Sequence, residues 1–266
     1  MAMLDLEFAE LTDTGLVREH NEDAFGHVVP GSQAQVRSQG WVFVLADGVG
    51  GHEHGEVASQ LAVDTVVAGF RRIPPGVMHA SLLPRLVQEA NAAVFEKGHD
   101  RQGKQMGTTL VVCALRFDSA VISHVGDSRC YLFRNGTGAP LTRDHTMASE
   151  QFRMNLLSES EAAESDSKHV LTRCLGIDMF VAADTITVNI LPGDILLLCS
   201  DGMHGLVSTP TMERILAKHN DLNAAAAALV AAANDKGGHD NVSVQLIRIL
   251  SVERMGLYRG RPYRML

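Results

Sequence analysis

The chain has 266 residues, 45% of them hydrophobic and 20% charged, and a formal net charge of −8. This balance favours one large globular domain and excludes global disorder, and the acidic charge excludes nucleic acid as the general partner. No apolar run reaches the length of a membrane span, and the acids near the N-terminus do not suit a signal peptide. We therefore expect a cytoplasmic protein whose four widely spaced cysteines are buried free thiols.

The first part of the chain predicts strands followed by two long helices. In order, the predicted elements are strands over 4–11, 24–29 and 41–46 and helices over 53–72 and 81–96. Residues 30–40 suit a hairpin-type connection into the third strand. The run from Trp41 to Ala46 carries no charge and is rich in β-branched and aromatic residues, which is typical of a strand buried on both faces. Pro74 and Pro75 end the first helix.

The second part of the chain predicts mainly strands, with two more helices. In order, the predicted elements are strands over 109–117, 120–125 and 130–134, a polar segment over 142–170, strands over 180–191 and 195–199, helices over 211–219 and 222–234, and a strand over 242–250. We expect the first three of these strands to form an antiparallel meander, Thr209 to cap the third helix and Asp221 the fourth. Because this order is not a βαβ alternation, it favours an α+β fold with antiparallel sheets and helices on their outer faces.

Two segments carry too little apolar sequence to belong to the core. Residues 142–170 are rich in Ser, Glu and Asp, with a short predicted helix around 149–157, and they form either a mobile flap or an ordinary exposed loop. Residues 251–266 form either a frayed tail or a docking site for an acidic partner, with interleaved basic and aromatic residues. We therefore expect a single domain over 1–250 and a C-terminal tail over 251–266.

Four aspartates, each where an apolar strand starts or stops, suggest a metal centre. A single Asp-Gly pair such as the one at Asp47 is ordinary turn chemistry, but the arrangement recurs at Asp127, Asp201 and Asp240. If these strand ends converge, the carboxylates repel one another strongly and require cations. All candidate ligands are oxygens, which favours Mg²⁺ or Mn²⁺, and a pair of such ions suits attack on phosphorus. Arg18 is then a candidate for binding the phosphate, because its planar guanidinium matches two phosphate oxygens at once.

These residues belong to a series of short motifs that resembles a known family. The motifs are, in order, Thr12-Asp13-x-Gly15-x-x-Arg18-x-x-Asn21-Glu22-Asp23, Asp47-Gly48-x-Gly50-Gly51-His52, Gly55-Glu56-x-Ala58-Ser59, Gly107-Thr108-Thr109, Gly126-Asp127-Ser128-Arg129, Leu141-Thr142-Arg143-Asp144-His145-Thr146, Leu171-Thr172-Arg173-x-Leu175-Gly176, Ser200-Asp201-Gly202 and Asp240-Asn241. Together they cover nearly the whole chain. The sequence resembles the metal-dependent serine/threonine protein phosphatases of type 2C, particularly their compact bacterial branch.

The resemblance implies a fold and a reaction. The fold is a four-layer α-β-β-α sandwich, with two antiparallel β-sheets flanked by helix pairs and a metal site at one end of the cleft between the sheets. The reaction is hydrolysis of phosphoserine and phosphothreonine on proteins by a metal-bridged hydroxide, without a phosphoenzyme. Residues 142–170 would be the flap that shapes substrate access.

The resemblance also implies a role for each matching residue. Two Mn²⁺ or Mg²⁺ ions would be held by a set of carboxylates and one carbonyl, namely Asp23, Asp47, the Gly48 carbonyl, Asp201 and Asp240. Asp127 would join Asp201 in a weaker third site, while Glu22 and Asn241 would support the ligands from behind. Arg18 would bind the substrate phosphate and would be catalytic together with Asp47 and Asp201.

One position departs from the better-known form of the family. Eukaryotic members place a histidine directly after the Asp47-Gly48 pair, where it is proposed to protonate the leaving group, and this chain has Val49. His52, three residues further on, is a candidate general acid, and a metal-bound water is the alternative donor.

Family analogy suggests partners and leaves rival functions open. The expected counterpart is a bacterial serine/threonine kinase whose phosphorylated targets are the substrates, and we expect a monomer. One rival is a regulatory pseudophosphatase that uses the same fold for binding, and another is a phosphatase for small molecules. The complete set of expected carboxylates and Arg18 favours an enzyme.

Overall fold

A computed structural model describes residues 3–49, 54–100, 105–258 and 261–264. The strands are β1 (Asp5–Asp13), β2 (Asp23–Val28), β3 (Trp41–Asp47), β4 (Leu110–Arg116), β5 (Ser119–Val125), β6 (Arg129–Arg134), β7 (Thr137–Pro140), β8 (Asp184–Asn189), β9 (Ile195–Cys199), β10 (Val242–Ser251), β11 (Met255–Tyr258) and β12 (Arg261–Arg264). The helices are α1 (Gln33–Ser38), α2 (Gly55–Arg71), α3 (His79–Asp100), α4 (Met147–Arg153), α5 (Glu159–Glu164), α6 (Asp201–His204), α7 (Thr209–Lys218) and α8 (Leu222–Asn234), with a 3₁₀ turn at Asp166–His169.

The strands form two five-stranded antiparallel sheets that pack face to face. One sheet has the order β1-β10-β9-β6-β7 and the other has the order β2-β3-β4-β5-β8. Helices α2 and α3 cover the outer face of the second sheet, and α7 and α8 cover that of the first. The expected α+β sandwich of four layers is therefore confirmed.

Three apolar cores hold these layers together, one between the sheets and one under each helix pair. Strand β3 takes part in two of them because successive side chains point to opposite faces. Val42 and Val44 pack under α2 and α3, while Phe43 and Leu45 pack in the core between the sheets, and all four are fully buried. The prediction that β3 is buried on both faces is confirmed.

The helices follow the sequence expectations closely, with differences at their ends. Asp221 caps α8 as predicted, since its Oδ1 accepts a 2.7 Å hydrogen bond from the backbone N of Ala224. The cap of α7 is Ser208, so the expectation for Thr209 was wrong by one residue; Pro210 occupies the first turn, where it loses no hydrogen bond. Within the described ranges, no helix is both long enough and apolar enough to cross a membrane. All four cysteines are free as expected, but only Cys113, Cys130 and Cys199 are buried, and the expectation of burial was wrong for the half-buried Cys174.

The predicted meander was wrong in its pairing. Strands β4 and β5 pair, but β6 leaves their sheet and pairs with β9 and β7 in the other one, so that β5 pairs with β8 instead. The chain crosses between the sheets at Gly126-Asp127-Ser128, which places Asp127 at the cleft. Two further differences are helix α1 in the connection over 30–40 and the antiparallel β11–β12 hairpin in the expected tail.

Residues 142–170 form a segment of short helices, which we call the flap. Its base is buried at His145, Thr146 and Ala148. Helix α5 has no buried residue and is held at its start by a capping box between Ser158 and Glu161. The flap therefore adds little to the core, as its polar sequence predicts, and its two ends are joined by a backbone bridge between Thr146 and Leu171.

Candidate active site

A cavity of about 270 Å³ lies at one end of the sandwich, where β3 ends. Its walls come from both sheets, the loop after β1 and the end of the flap. The lining residues are Arg18, Asp47, Gly48, Val49, Thr109, Asp127, His169, Leu171, Asp201 and Asp240. Six residues that the sequence analysis assigned to metal or phosphate thus converge on one small volume.

Strand pairing sets the position of two of the carboxylates. In the β2–β3 ladder, Asp23 lies directly opposite Asp47. The backbone of Asp47 is fixed by β4, because its N–H donates to Thr109 Oγ1 at 3.0 Å and its carbonyl accepts from Thr108 Oγ1 at 2.8 Å. The Gly107-Thr108-Thr109 motif therefore holds the strand end that presents Asp47.

The other sheet supplies Asp201 and Asp240 from two neighbouring strands. Asp201 follows the end of β9 and begins α6, and Asp240 precedes β10, which pairs with β9. The charge of Asp201 acts on the carboxyl of Asp47 and contributes to raising its pKa. Ser200 joins the two sheets, since its hydroxyl donates to Asp23 Oδ2 at 2.8 Å. The carboxylates of both sheets are thereby close enough for their charges to interact.

Burial and mutual repulsion make the carboxylates hard to ionise. Burial raises the pKa of Asp23 to about 7 and that of Asp127 to about 8, with the nearby charge of Asp201 adding to both. Burial, followed by the charges of Asp23 and Asp201, raises the pKa of Asp47 well above its usual range. Burial and the charge of Asp240 raise the pKa of Asp201 as well. Such a cluster needs positive charge to be stable in its ionised form.

The residues fit a pair of hard divalent cations. Asp23, which lies opposite Asp47, has a buried Oδ1 that is without a hydrogen-bond partner among the described residues, and this leaves an acceptor for a cation. The donor set consists of oxygens, the ligands that Mg²⁺ and Mn²⁺ prefer. The backbone is closely packed around Gly48, the residue after Asp47. A Cβ there would lie 2.5 Å from the carbonyl oxygen of Gly55 and 2.8 Å from that of Glu22. No larger residue could occupy this turn without displacing the strand end.

Arg18 lies at the mouth of the cavity, with 44% of its side chain exposed. One guanidinium nitrogen donates to Asp240 Oδ2 at 2.7 Å, and this hydrogen bond raises the pKa of Arg18 further. The loop that carries Arg18 approaches β10 closely at Gly15, which has φ +78 and whose Cβ would lie 2.3 Å from the carbonyl oxygen of Asp240. The exposed part of the fork remains available to an anion entering the cavity.

Asn241 and Glu22 connect this loop to the strand ends. Asn241 is buried, its Nδ2 donates to the carbonyls of Thr14 and His20 at 2.9 Å, and its Oδ1 accepts from the backbone N of Glu22 at 2.8 Å. The Glu22 carbonyl in turn accepts from the backbone N of Gly48 at 3.1 Å. Burial raises the pKa of the Glu22 carboxyl, with Glu56 adding to the effect. Both residues are therefore placed to hold the ligand-bearing segments.

Four residues of the cavity were not singled out as site residues from sequence: Val49, Thr109, His169 and Leu171. Thr109 and Leu171 belong to the motifs quoted above without an assigned role, whereas His169, at the end of the polar flap, has no spacing rule of its own. His169 is exposed and belongs to the 3₁₀ turn that ends the flap. His52, the candidate general acid, lies outside the described residues.

A second cluster could be taken for a metal site, namely His124, His145 and Asp184. The two imidazoles stack at 4.7 Å with an angle of 18° between their planes. Since the lone pair of an imidazole nitrogen lies in the ring plane, nearly parallel rings cannot both direct a nitrogen at one ion. Asp184 is also engaged by Arg173 at 2.9 Å. We assign this cluster a structural role at the base of the flap.

Carboxylates gathered beside an arginine, in a cleft between two antiparallel sheets, are typical of metal-dependent phosphatases. The family model of protein phosphatase 2C matches residues 17–249. The serine/threonine phosphatase stp of Listeria innocua is 36% identical over 256 residues, which cover 94% of this chain and 96% of that protein. The chain belongs to the protein phosphatase 2C family, a family of metal-dependent hydrolases.

Solved structures agree with this assignment. The Mycobacterium tuberculosis serine/threonine phosphatase PstP/Ppp superposes with a TM-score of 0.82 at 30% identity, covering 93% of this chain and all of that one. The PstP catalytic domain in complex with two manganese ions has a TM-score of 0.79 at the same identity, with the same coverage of both chains. The predicted family and fold are thus confirmed.

Proposed function

We propose that the protein dephosphorylates phosphoserine and phosphothreonine residues of other proteins, with the help of two Mn²⁺ or Mg²⁺ ions. The observation that carries this proposal is the convergence of Asp47, Asp127, Asp201 and Asp240 with Arg18 on one cavity. The related phosphatases described above, one of them with two manganese ions, support it.

We assign the metal ligands from the residues that line the cavity together with Asp23, which does not line it but lies opposite Asp47 in the β2–β3 ladder. Asp47, the Gly48 carbonyl, Asp23, Asp201 and Asp240 would hold the two ions. Asp127 would contribute to a weaker third site together with Asp201. When bound, the ions supply the chemistry that activates water and neutralises charge on the phosphate.

The protein's own residues would orient the substrate. The exposed face of the Arg18 fork would hold two phosphate oxygens, and its pairing with Asp240 keeps the guanidinium aimed across the cavity. The Thr108 and Thr109 hydroxyls would keep Asp47 in place, and Asn241 would keep the Arg18 loop against β10. Such fixed positioning accounts for much of the catalysis in phosphoryl transfer.

The proposal extends to the organisation and the setting of the protein. Residues 1–250 would form one catalytic domain, and the flap would shape access to the cavity, since His169 and Leu171 at its end line the walls. The four free cysteines support a reducing compartment such as the cytoplasm. A serine/threonine kinase would be the counterpart, and the protein would act as a monomer.

Two rival functions differ in what they require. A pseudophosphatase would tolerate the loss of ligands or of the phosphate-binding arginine, whereas here all of these residues are present. A small-molecule phosphatase would use the same cavity but would not need a surface beside it for a polypeptide. Comparing activity on phosphopeptides with activity on small phosphate esters therefore distinguishes this rival from a protein phosphatase.

The central experiment measures phosphate release from a phosphothreonine peptide with Mn²⁺. We expect turnover in the wild type that is abolished by chelation and by Asp201→Asn, while Asp64→Asn, an exposed residue of α2, behaves like the wild type. Small phosphate esters are assayed in parallel. Turnover that survives exhaustive chelation, a trapped phosphoenzyme, or hydrolysis of small esters without any of the peptide would contradict the proposal.

A further inference from the structure

A second cavity of about 420 Å³ opens directly beside the first, and we call it the side groove. The two cavities share Val49, His169 and Leu171, so one continuous wall runs from the metal ligands into the side groove. A polypeptide whose phosphorylated side chain enters the first cavity can therefore place a neighbouring residue in the second, because the two share a wall and an extended chain advances about 3.3 to 3.6 Å per residue.

One wall of the side groove is apolar and open to solvent. Ile177, Phe180 and Val181 line it, and Phe180 is 77% exposed, the most exposed large apolar side chain in the described part of the chain. An exposed aromatic ring next to further apolar groups is unfavourable in water and is typical of a binding surface.

The loop that carries Phe180 is held rigidly by α3. Gln88 Nε2 donates to the carbonyl of Met179 at 2.9 Å, and Gln88 Oε1 accepts from the backbone N of Val181 at 3.2 Å. Asn91, which is fully buried, donates to the carbonyl of Asp178 at 2.9 Å. The exposed ring therefore stands on a fixed support, which reduces the entropy lost when a ligand binds.

The free charge of the side groove is negative. Arg173 lines the groove but is engaged by Asp184 at 2.9 Å and by the carbonyl of Ala182 at 3.1 Å. The carboxylate of Asp178 is exposed, and among the described residues it has no ion-pair or hydrogen-bond partner. A basic group on a ligand could reach it without displacing an internal contact.

We propose that the side groove is a specificity site for the polypeptide that flanks the phosphorylated residue. It takes a large apolar side chain against Phe180 and Ile177 and a Lys or Arg side chain at Asp178. The preferred substrates are then phosphopeptides that carry both an apolar and a basic residue within a few positions of the phosphate. This inference rests on the proposed function and names the substrate class of the same site.

The test compares two phosphothreonine peptides within each variant. One peptide carries Leu and Arg beside the phosphothreonine, and in the other both are replaced by Ser. We expect the wild type to prefer the first peptide by about tenfold in kcat/KM, which corresponds to 1.4 kcal/mol. Phe180→Ala should remove most of this preference, whereas Met179→Ala should retain it, because Met179 is 60% exposed and its side chain does not line the groove.

Asp178→Asn tests the charged part of the site separately, with two further peptides in which only the Leu or only the Arg is replaced by Ser. It should reduce the preference for Arg over Ser while leaving the preference for Leu over Ser, and the effect of the basic residue should weaken as salt increases. The melting temperature of each variant verifies that it is folded.

The outcomes separate this inference from the proposed function. If the wild type hydrolyses no phosphopeptide, the proposed function itself is wrong. If it hydrolyses both peptides equally well and Phe180→Ala matches Met179→Ala, only the specificity site is overturned. A wild type that dimerises in sedimentation, together with a monomeric Phe180→Ala, would show that a second copy covers the groove and would equally overturn it.

Discussion

The guanidinium of Arg18 and the carboxylate of Asp240 are joined by a hydrogen bond of 2.7 Å. The pair connects the group assigned to the substrate phosphate with a group assigned to a metal ion. The Asp240 carboxylate interacts both with the guanidinium of Arg18 and, in the assignment above, with a metal ion. The binding of phosphate at Arg18 and the binding of metal at Asp240 therefore influence each other. A change at either residue should therefore alter both substrate and metal binding.

Replacing Arg18 tests this coupling. Arg18→Ala should lower kcat/KM for a phosphothreonine peptide about tenfold or more, because a charge-assisted, two-pronged phosphate contact is lost. The apparent affinity for Mn²⁺ should rise, since a cation beside the acidic cluster is removed. Steady-state kinetics across a Mn²⁺ titration measures both quantities.

Arg18→Lys and Arg214→Ala serve as comparisons. Lys keeps the positive charge but lacks the planar guanidinium that contacts two phosphate oxygens. Arg18→Lys should therefore bring the apparent Mn²⁺ affinity closer to the wild-type value than it brings kcat/KM. Arg214 is an exposed residue of α7 bonded to Thr211, far from the cavity in the fold, and its loss should change neither. Unchanged Mn²⁺ binding in Arg18→Ala would contradict the coupling, and weaker binding would contradict its expected direction.

Asp47→Asn should have opposite effects on stability with and without metal. Burial and nearby carboxylates raise the pKa of Asp47 well above its usual range, so ionising it at pH 8 destabilises the folded chain. With a chelator at pH 8, the variant should therefore melt at a higher temperature than the wild type. With Mn²⁺ the order should reverse, because the wild type gains stability from the bound ions and the variant does not.

The exposed substitution Asp64→Asn provides the reference for these melting curves, since it removes a carboxylate of the same kind from the surface of α2. The melting temperature of Asp64→Asn should match that of the wild type both with the chelator and with Mn²⁺. Equal Mn²⁺-induced increases in the wild type and Asp47→Asn would exclude Asp47 as a ligand.

His169 and His52 can be compared as proton donors to the leaving group. His169 lines the cavity, so we expect His169→Gln to lower kcat on a phosphothreonine peptide more than on an activated aryl phosphate, whose leaving group needs no proton. We expect His52→Ala to retain most activity on the aryl phosphate. A collapse of His52→Ala on that substrate to the level of Asp201→Ala would instead place His52 at the centre of the chemistry.

His79 should make the protein sensitive to acid. It is buried, its Nε2 donates to the carbonyl of Gln39 at 2.8 Å, and burial lowers its pKa to about 4, with a smaller contribution from Arg116. A folded-state pKa below the unfolded value of 6.5 means that the unfolded chain binds the proton first. Stability is therefore fully present above pH 6.5 and is lost as the pH falls toward 4, by roughly 3 kcal/mol for this side chain.

Denaturant unfolding at several pH values checks this expectation. His79→Gln can keep the hydrogen bond to Gln39 but cannot be protonated, so the difference in unfolding free energy between wild type and variant should shrink or reverse between pH 6.5 and 4. The exposed His99→Gln, at the end of α3, is the matched control. A difference that does not vary with pH would contradict the assignment.

The sequence predicted the fold and most of the site because its signals are local and repeated. The uncharged run of β3, the spacing of apolar residues in α2 and α3, and the aspartates at strand ends could each be found within a few residues. The family resemblance then united positions far apart in the chain, such as Asp23 and Asp240. The structure places these residues together, while their individual roles remain proposals.

The remaining features depend on tertiary pairing and could not be read locally. The segment at Asp127 looks like a turn within one sheet, yet its neighbouring strand β6 finds its partner β9 in the other sheet. Periodicity gives the face of a strand but not its partner, so the meander was mispredicted. His169 and Phe180 also escaped notice, since an exposed histidine or phenylalanine has no pattern until the cavity beside it is known.

The opposition of Asp23 and Asp47 at the end of the β2–β3 ladder has a consequence for how the sheet opens. Like charges directly across two strands weaken their pairing. The last residue pairs of this ladder are therefore its least stable part. Divalent ions bound between the two carboxylates would offset their repulsion and stabilise this end of the ladder. Amide hydrogen exchange at Ala24 and Ala46 should slow on binding of Mn²⁺, while the middle of β3, closed on both faces by apolar cores, already exchanges slowly without it.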